Sequence, residues 1–189
     1  PNELIWRMWL RGYESKYQFY FHAKYPERVR SPFVRERLLG VSYRPNWGTY
    51  EIVKAMLALL EESTLRGPRS LLHFCFASES CVPIMNASKV LAAFPKDPSV
   101  SAESWLNYMW RANNGYAQKG QFEVLEKGIP SDCICKADQW CMLSRQHALM
   151  VLSLQNKLLS HENCKSLVKL FKNVKASDEM YVPVAMALL

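Results

Sequence analysis

Apolar positions along the chain gather into short groups, and the spacing within each group predicts an element. Leu4, Ile5, Trp6, Met8, Trp9 and Leu10 suit a short helix closed by Arg11-Gly12. Tyr17, Phe19, Phe21 and Ala23 then alternate with Gln18, Tyr20 and His22, and that period of two in an aromatic stretch predicts a strand with His22 near its end. A basic, proline-bearing connection follows from Glu27 to Arg44, with room for a short strand at Leu38 to Val41. Ile52, Val53, Met56, Leu57, Leu59 and Leu60 return at helical spacing. They predict an amphipathic helix that Asn46 or Thr49 caps and Arg66-Gly67-Pro68 stops, its apolar stripe facing the core.

The run Leu71 to Ile84 organises the rest. Its first half is long enough for one strand buried on both faces, and Ser78-Glu79-Ser80 and Pro83 then turn the chain away. Ligands of open α/β sheets collect beyond the carboxyl ends of strands, so a carboxylate between two hydroxyls there is a candidate contact. Helix capping or pairing with a surface Arg is the plain alternative for Glu79.

Ser88 to Phe94 predicts a short helix with Val90 and Leu91 facing in, and Pro95 to Ser104 a loop. Trp105 to Lys127 has no clear period. Asn113-Asn114-Gly115 reads as a turn, and Trp105, Tyr108, Trp110 and Tyr116 as packing residues or a stacking surface for a sugar or base. Trp140 to Leu143 predicts a short strand, and Ser144 the cap of a helix to about Leu159 with Leu149, Val151, Leu152, Leu154 and Leu158 inward. A second helix spans about Asn163 to Phe171. Ser177-Asp178-Glu179 opens an apolar tail, with Pro183 expected in the first turn of a last helix, and the pattern breaks off at Leu189 as a truncated end would.

Composition narrows the classes. With 189 residues, 49% hydrophobic and 22% charged, the chain suits one folded domain with a real core. Its apolar runs fall far short of the roughly 20 residues that span a bilayer. The net charge of +7 favours anionic partners, but it is dispersed, which counts against nucleic acid. The six cysteines form no Cys-x-x-Cys pair, so structural zinc is not expected, while disulfides and free thiols both stay open. Asn86-Ala87-Ser88 is a glycosylation acceptor triplet if the chain enters the secretory route. No phosphate-cradling glycine loop, Asp-x-Asp pair or nucleophile elbow occurs.

Taken in order, Tyr20-Phe21-His22-Ala23, Trp47-Gly48, Phe76 to Ile84, Gln139-Trp140 with Leu143-Ser144-Arg145, and Ser177-Asp178-Glu179 resemble the core-2/I-branching β-1,6-N-acetylglucosaminyltransferase family over nearly the whole chain. The resemblance implies an α/β, glycosyltransferase-A-like fold with a mixed sheet flanked by helices, here incomplete, with residues 1–189 as one partial glycosyltransferase-like domain. It implies an inverting transfer, without a divalent metal or other cofactor, of a sugar (N-acetylglucosamine by precedent) from a UDP-sugar to a glycan acceptor on glycoprotein or glycolipid. Glu179 is then the general base, with Asp178 and Trp47 in support. His22 and Arg44 contact the donor, and Ser78, Glu79 and Trp140 the acceptor. Lys24 departs from the acidic residue usual at that place.

The implied setting is the lumenal side of the Golgi membrane, reached through a type II anchor upstream of this chain. The chain also resembles the family without its first strand and its C-terminal basic segment, so residues 1–189 alone are expected to have little transferase activity. The alternatives are a non-catalytic relative that binds carbohydrate or nucleotide-sugar, and a basic α/β nucleic-acid-binding domain.

Overall fold

The computed structural model describes residues 2–94, 103–155 and 166–189. Its first half holds α1 (Glu3–Leu10), α2 (Pro32–Arg35), α3 (Tyr50–Arg66), β1 (His73–Cys75) and α4 (Ala87–Ala93). Its second half holds β2 (Tyr108–Met109), α5 (Gly115–Glu126), β3 (Lys136–Ala137), β4 (Met142–Ser144), α6 (Arg145–Ser153), α7 (Leu167–Phe171) and α8 (Ser177–Ala187).

The stripe on α3 forms the core as its spacing predicts. Val53, Met56, Leu57 and Leu60 are buried, with Ile52 and Leu59 half-buried, and α3 packs on α6 and α8. Leu143, Val151, Met180 and Val184 are fully buried in the same cluster. Each such side chain contributes about 1.5–3 kcal/mol relative to leaving it in water. Strands β1 and β4 pair antiparallel with Phe74 opposite Leu143, and β4 is flanked on its other edge by an antiparallel bridge between Met142 and Trp105. Strands β2 and β3 form a second antiparallel pair, Met109 opposite Lys136. This mixture of helices and small sheets agrees with the α/β expectation. Among the described residues the sheets are two antiparallel pairs, and the parallel component is the single Phe21–Leu38 bridge.

Several expectations need correction. β1 is buried fully on one face only, with Phe74 inward, while on the other face His73 is half-buried against Phe94 at 4.7 Å and Cys75 is exposed. Tyr17 to Ala23 is extended but joins neither sheet, its ladder contact being the isolated parallel bridge from Phe21 to Leu38. Its rings pack with each other and with neighbouring aromatics instead, Phe19 and Phe21 at 6.1 Å and Trp9 and Tyr17 at 4.7 Å. Trp105 to Lys127, which had no assignment, contains α5, and the Asn114 side chain accepts from the Ala117 N–H at 2.9 Å as its cap. Val90 and Leu91 are half-buried and Leu149 is 48% exposed, while Ala148 takes the inward place. Pro183 lies inside α8 rather than in its first turn, because the helix begins at Ser177. Residues 95–102, 156–159 and 163–165, on which the expected loop and two expected helix ends fall, lie outside the described residues. No helix among the described residues is long and apolar enough to cross a membrane.

Candidate functional site

The start of α8 carries the chemistry that the sequence singles out. Ala176 precedes it in the left-handed conformation (φ 49°), a sharp entry that sets Asp178 and Glu179 in the first helical turn, where helix N–H groups favour negative charge. Two elements, α5 and β3, back this turn. α5 brings Gly120 against the Lys175 carbonyl and the Met180 side chain. Glu123 of α5 accepts from Lys175 Nζ at 2.6 Å and from its backbone N–H at 2.8 Å. Burial pushes the Glu123 carboxyl up, but those Lys175 donors outweigh it and hold it below the usual glutamate value. From β3 comes Lys136, whose side chain is 5% exposed and whose Nζ donates to Glu179 Oε2 at 2.7 Å.

The two adjacent carboxylates differ sharply. Glu179 keeps 27% of its side chain exposed, and Oε2 is held by Lys136. Asp178 is buried, and its Oδ1 has no hydrogen-bond partner among the described residues. Burial raises its pKa to about 6, with the Glu179 charge adding to the rise and the helix N–H groups and Lys136 opposing it. Below them lie the phenols of Tyr181 and Tyr50, both buried without a partner for the hydroxyl among the described residues. Burial drives both pKa values up, that of Tyr50 to about 12.

The residues assigned to the donor lie together. His22 Nε2 accepts the Tyr43 N–H at 2.8 Å, and its ring stacks on Tyr43 at 5.8 Å. Burial holds its pKa below the usual histidine value. Lys24 Nζ donates to the Pro45 carbonyl at 2.7 Å, and Arg44, next to Tyr43, is exposed with its guanidinium 5.6 Å from the Tyr25 ring. Trp47 is 77% exposed yet leans on Tyr116 of α5 at 5.0 Å. Gly48 (φ 67°) permits this, since a Cβ there would stand 2.9 Å from the Tyr116 ring. This segment leads into Tyr50 of α3, and so to the base of α8.

The residues assigned to the acceptor form a less enclosed group. Ser78 Oγ bonds Ser80 Oγ at 2.8 Å and Cys81 Sγ at 3.3 Å, closing the turn. α1 clasps it from outside, with Asn2 donating to the Glu79 and Ser80 carbonyls and Trp6 Nε1 to the Cys81 carbonyl at 3.0 Å. The Glu79 side chain is exposed and unpartnered among the described residues. Trp140, between β3 and β4, is 49% exposed and available for stacking.

Lys136 is the residue that sequence reading missed. A lysine beside Ala137-Asp138 reads as solvated, and only its place between a pair of strand ends and α8 buries it. A Ser-His contact among the described residues, Ser104 Oγ to His147 Nδ1 at 2.7 Å, is structural: Ser104 also accepts the Ser144 N–H at 2.9 Å and ties the end of β4 to α6. Among the described residues no three His, Cys, Asp or Glu side chains converge in a way that could hold a metal ion.

Comparison with known proteins agrees with the ordered motifs. The family described as Core-2/I-Branching enzyme matches residues 1–188. The chain is similar to a protein of Oryza sativa subsp. japonica named Glycosyltransferase BC10, at 26% identity over 160 residues, which is 80% of this chain and 37% of that protein. The chain therefore spans well under half the length of this curated relative. No solved structure matches the chain.

Proposed function

Because the chain belongs to the Core-2/I-Branching enzyme family of glycosyltransferases, we propose that it is part of an inverting transferase, glycosyltransferase-A-like in fold, that moves a sugar from a UDP-sugar to a hydroxyl of a glycan acceptor. In this reading Glu179 takes the proton of the acceptor hydroxyl as that oxygen attacks the anomeric carbon. The anomeric carbon–phosphate oxygen bond breaks, and UDP departs with the bonding pair. The observation that carries the reading is the state of Glu179: a partly exposed carboxylate in the first turn of a helix, fixed through one oxygen with the other free to accept. A general base needs that combination of access and fixed geometry.

His22, Arg44 and the Trp47 segment serve the donor in this proposal, and Ser78, Glu79 and Trp140 the acceptor. Asp178 supports the turn. N-acetylglucosamine as the sugar, transfer without a divalent metal, and a lumenal Golgi setting with an upstream anchor belong to the same proposal, supported by the family and by the lack of an Asp-x-Asp pair.

The test uses the full-length protein with UDP-N-acetylglucosamine and a panel of glycan acceptors, with and without a chelator. Glu179→Gln should lower transfer by on the order of 10²–10⁴-fold while calorimetry still shows donor binding. Unchanged turnover in that variant, or a chelator that abolishes transfer, overturns the corresponding part of the reading.

A further inference from the structure

A lysine buried at the start of a helix needs an explanation. Its ammonium loses hydration and faces the positive end of the α8 dipole. An apolar residue would fill the same strand position, opposite Met109, without that cost. Lys136 is nonetheless 4% exposed and sends Nζ to Glu179 Oε2, the oxygen of the carboxylate that remains partly open. Among the described residues, the other oxygen has no protein partner.

We propose that Lys136 is a positioning residue for this carboxylate, and that its buried ammonium clamps Oε2 so that Oε1 alone is presented to the acceptor hydroxyl. This inference rests on Glu179 being the base. It adds the residue that holds the base still, and it explains why one of the two adjacent acids is the reactive one. Lys136 reaches Glu179 directly, whereas Asp178 is turned into the core without a bond to its Oδ1.

The charged and titratable groups around Glu179 are known. Asp178 lies on the same turn, and Lys136 comes from β3. The Glu123–Lys175 pair sits where α5 meets the start of α8. The Tyr181 and Tyr50 phenols lie inward. Lys136 is the cation bonded to Glu179. Its removal should therefore leave Asp178 beside the Glu179 charge without the opposing cation, which disfavours ionisation of Asp178.

Lys136→Met, close in shape, and Lys136→Arg, which keeps the charge, are compared in the full-length protein. The first readout is carboxyl NMR of Asp178, which needs no substrate. Its titration should move up by about one pH unit in Lys136→Met and stay within a few tenths in Lys136→Arg. The second is transfer from UDP-N-acetylglucosamine across pH. Lys136→Met should lower kcat by on the order of 10²-fold near neutrality, with little change in donor KM. The acid limb of its profile should move to higher pH, and Lys136→Arg should restore most of the rate.

An Asp178 titration and a pH profile that Lys136→Met leaves in place overturn the inference. Loss of kcat without movement of either, and without rescue by Lys136→Arg, reduces Lys136 to a structural residue and overturns it equally. If Glu179→Gln keeps full transfer while Lys136→Met still moves the Asp178 titration, the failure lies in the assignment of the base and not in the clamp. Should Lys136→Met fail to fold, Lys136→Arg alone decides, since loss of its rate with an intact fold contradicts a role for charge.

Discussion

Two stretches of this chain set acids among hydroxyls, Ser78-Glu79-Ser80 after β1 and Ser177-Asp178-Glu179 at the start of α8, and the fold gives them opposite surroundings. The first is a surface turn. Its carboxylate has no partner among the described residues, and the residues after it stay out of the core, with Ile84 97% exposed. The second is followed by Met180 to Ala185, all buried, so the helix enters the core and draws its first turn with it. Neighbours decide the character of an acid more than the motif does. Glu79 has the start of α1 clasping its backbone and, among the described residues, nothing on its side chain, whereas Glu179 has a buried lysine and a buried aspartate beside it.

The contrast predicts graded responses. The largest concerns Asp178. At its ordinary pKa of 3.8 the unfolded carboxyl loses its proton, while the folded one keeps it up to about 6. The folded protein is therefore favoured at low pH and loses that advantage as pH rises from about 4 through 6. Above that range the charged, buried Asp178 costs on the order of 3 kcal/mol. Asp178→Asn should raise stability by up to that amount at pH 7.5 and leave it unchanged near pH 3.5, as urea midpoints at the two pH values will show. A gain that is the same at both would mean that Asp178 is not held as a strained acid.

Next comes the backing of the same turn. A methyl at Gly120 would collide with the Lys175 backbone carbonyl and the Met180 side chain. Gly120→Ala should cost about 1–3 kcal/mol and lower transfer, because α8 must shift away from α5. A thermal melt and a transfer assay on one preparation check both effects. The smallest effect belongs to the surface turn. Glu79→Ala should change stability by less than about 0.5 kcal/mol and act, if anywhere, on acceptor KM. A large loss of kcat there would erase the contrast between the two turns.

The parts of this fold that were legible in the sequence are those where local chemistry and packing agree. The α3 stripe is long, carries one clear period, and is stopped by Gly67-Pro68, so its bounds and buried face follow directly. Ser144 could be read as a cap, and it accepts the His147 N–H at 3.2 Å. α5 was hidden because Asn113-Asn114-Gly115 is as good a turn as a helix start, and because its core-facing Ala117 and Gly120 carry no apolar signal. The rings of Tyr17 to Ala23 mimic a strand period while serving ring-on-ring packing. Glu179 and Asp178 stood out in the motif, but Lys136 could not. It lies 43 residues before Glu179 and is joined to it only by the docking of β3 against α8.

Pro183 has no N–H to offer the carbonyl of Glu179, four residues before it. The rung that would rivet the first turn of α8 to the rest of the helix is thus missing at the residue that carries the carboxylate. This turn is held instead by the burial of Ser177, Asp178 and Met180 and by Lys136 and Gly120 from either flank. A missing rung at that residue leaves the place of its carboxylate to be set by side-chain packing as much as by the helix ladder, so changes on either flank reach Glu179 directly.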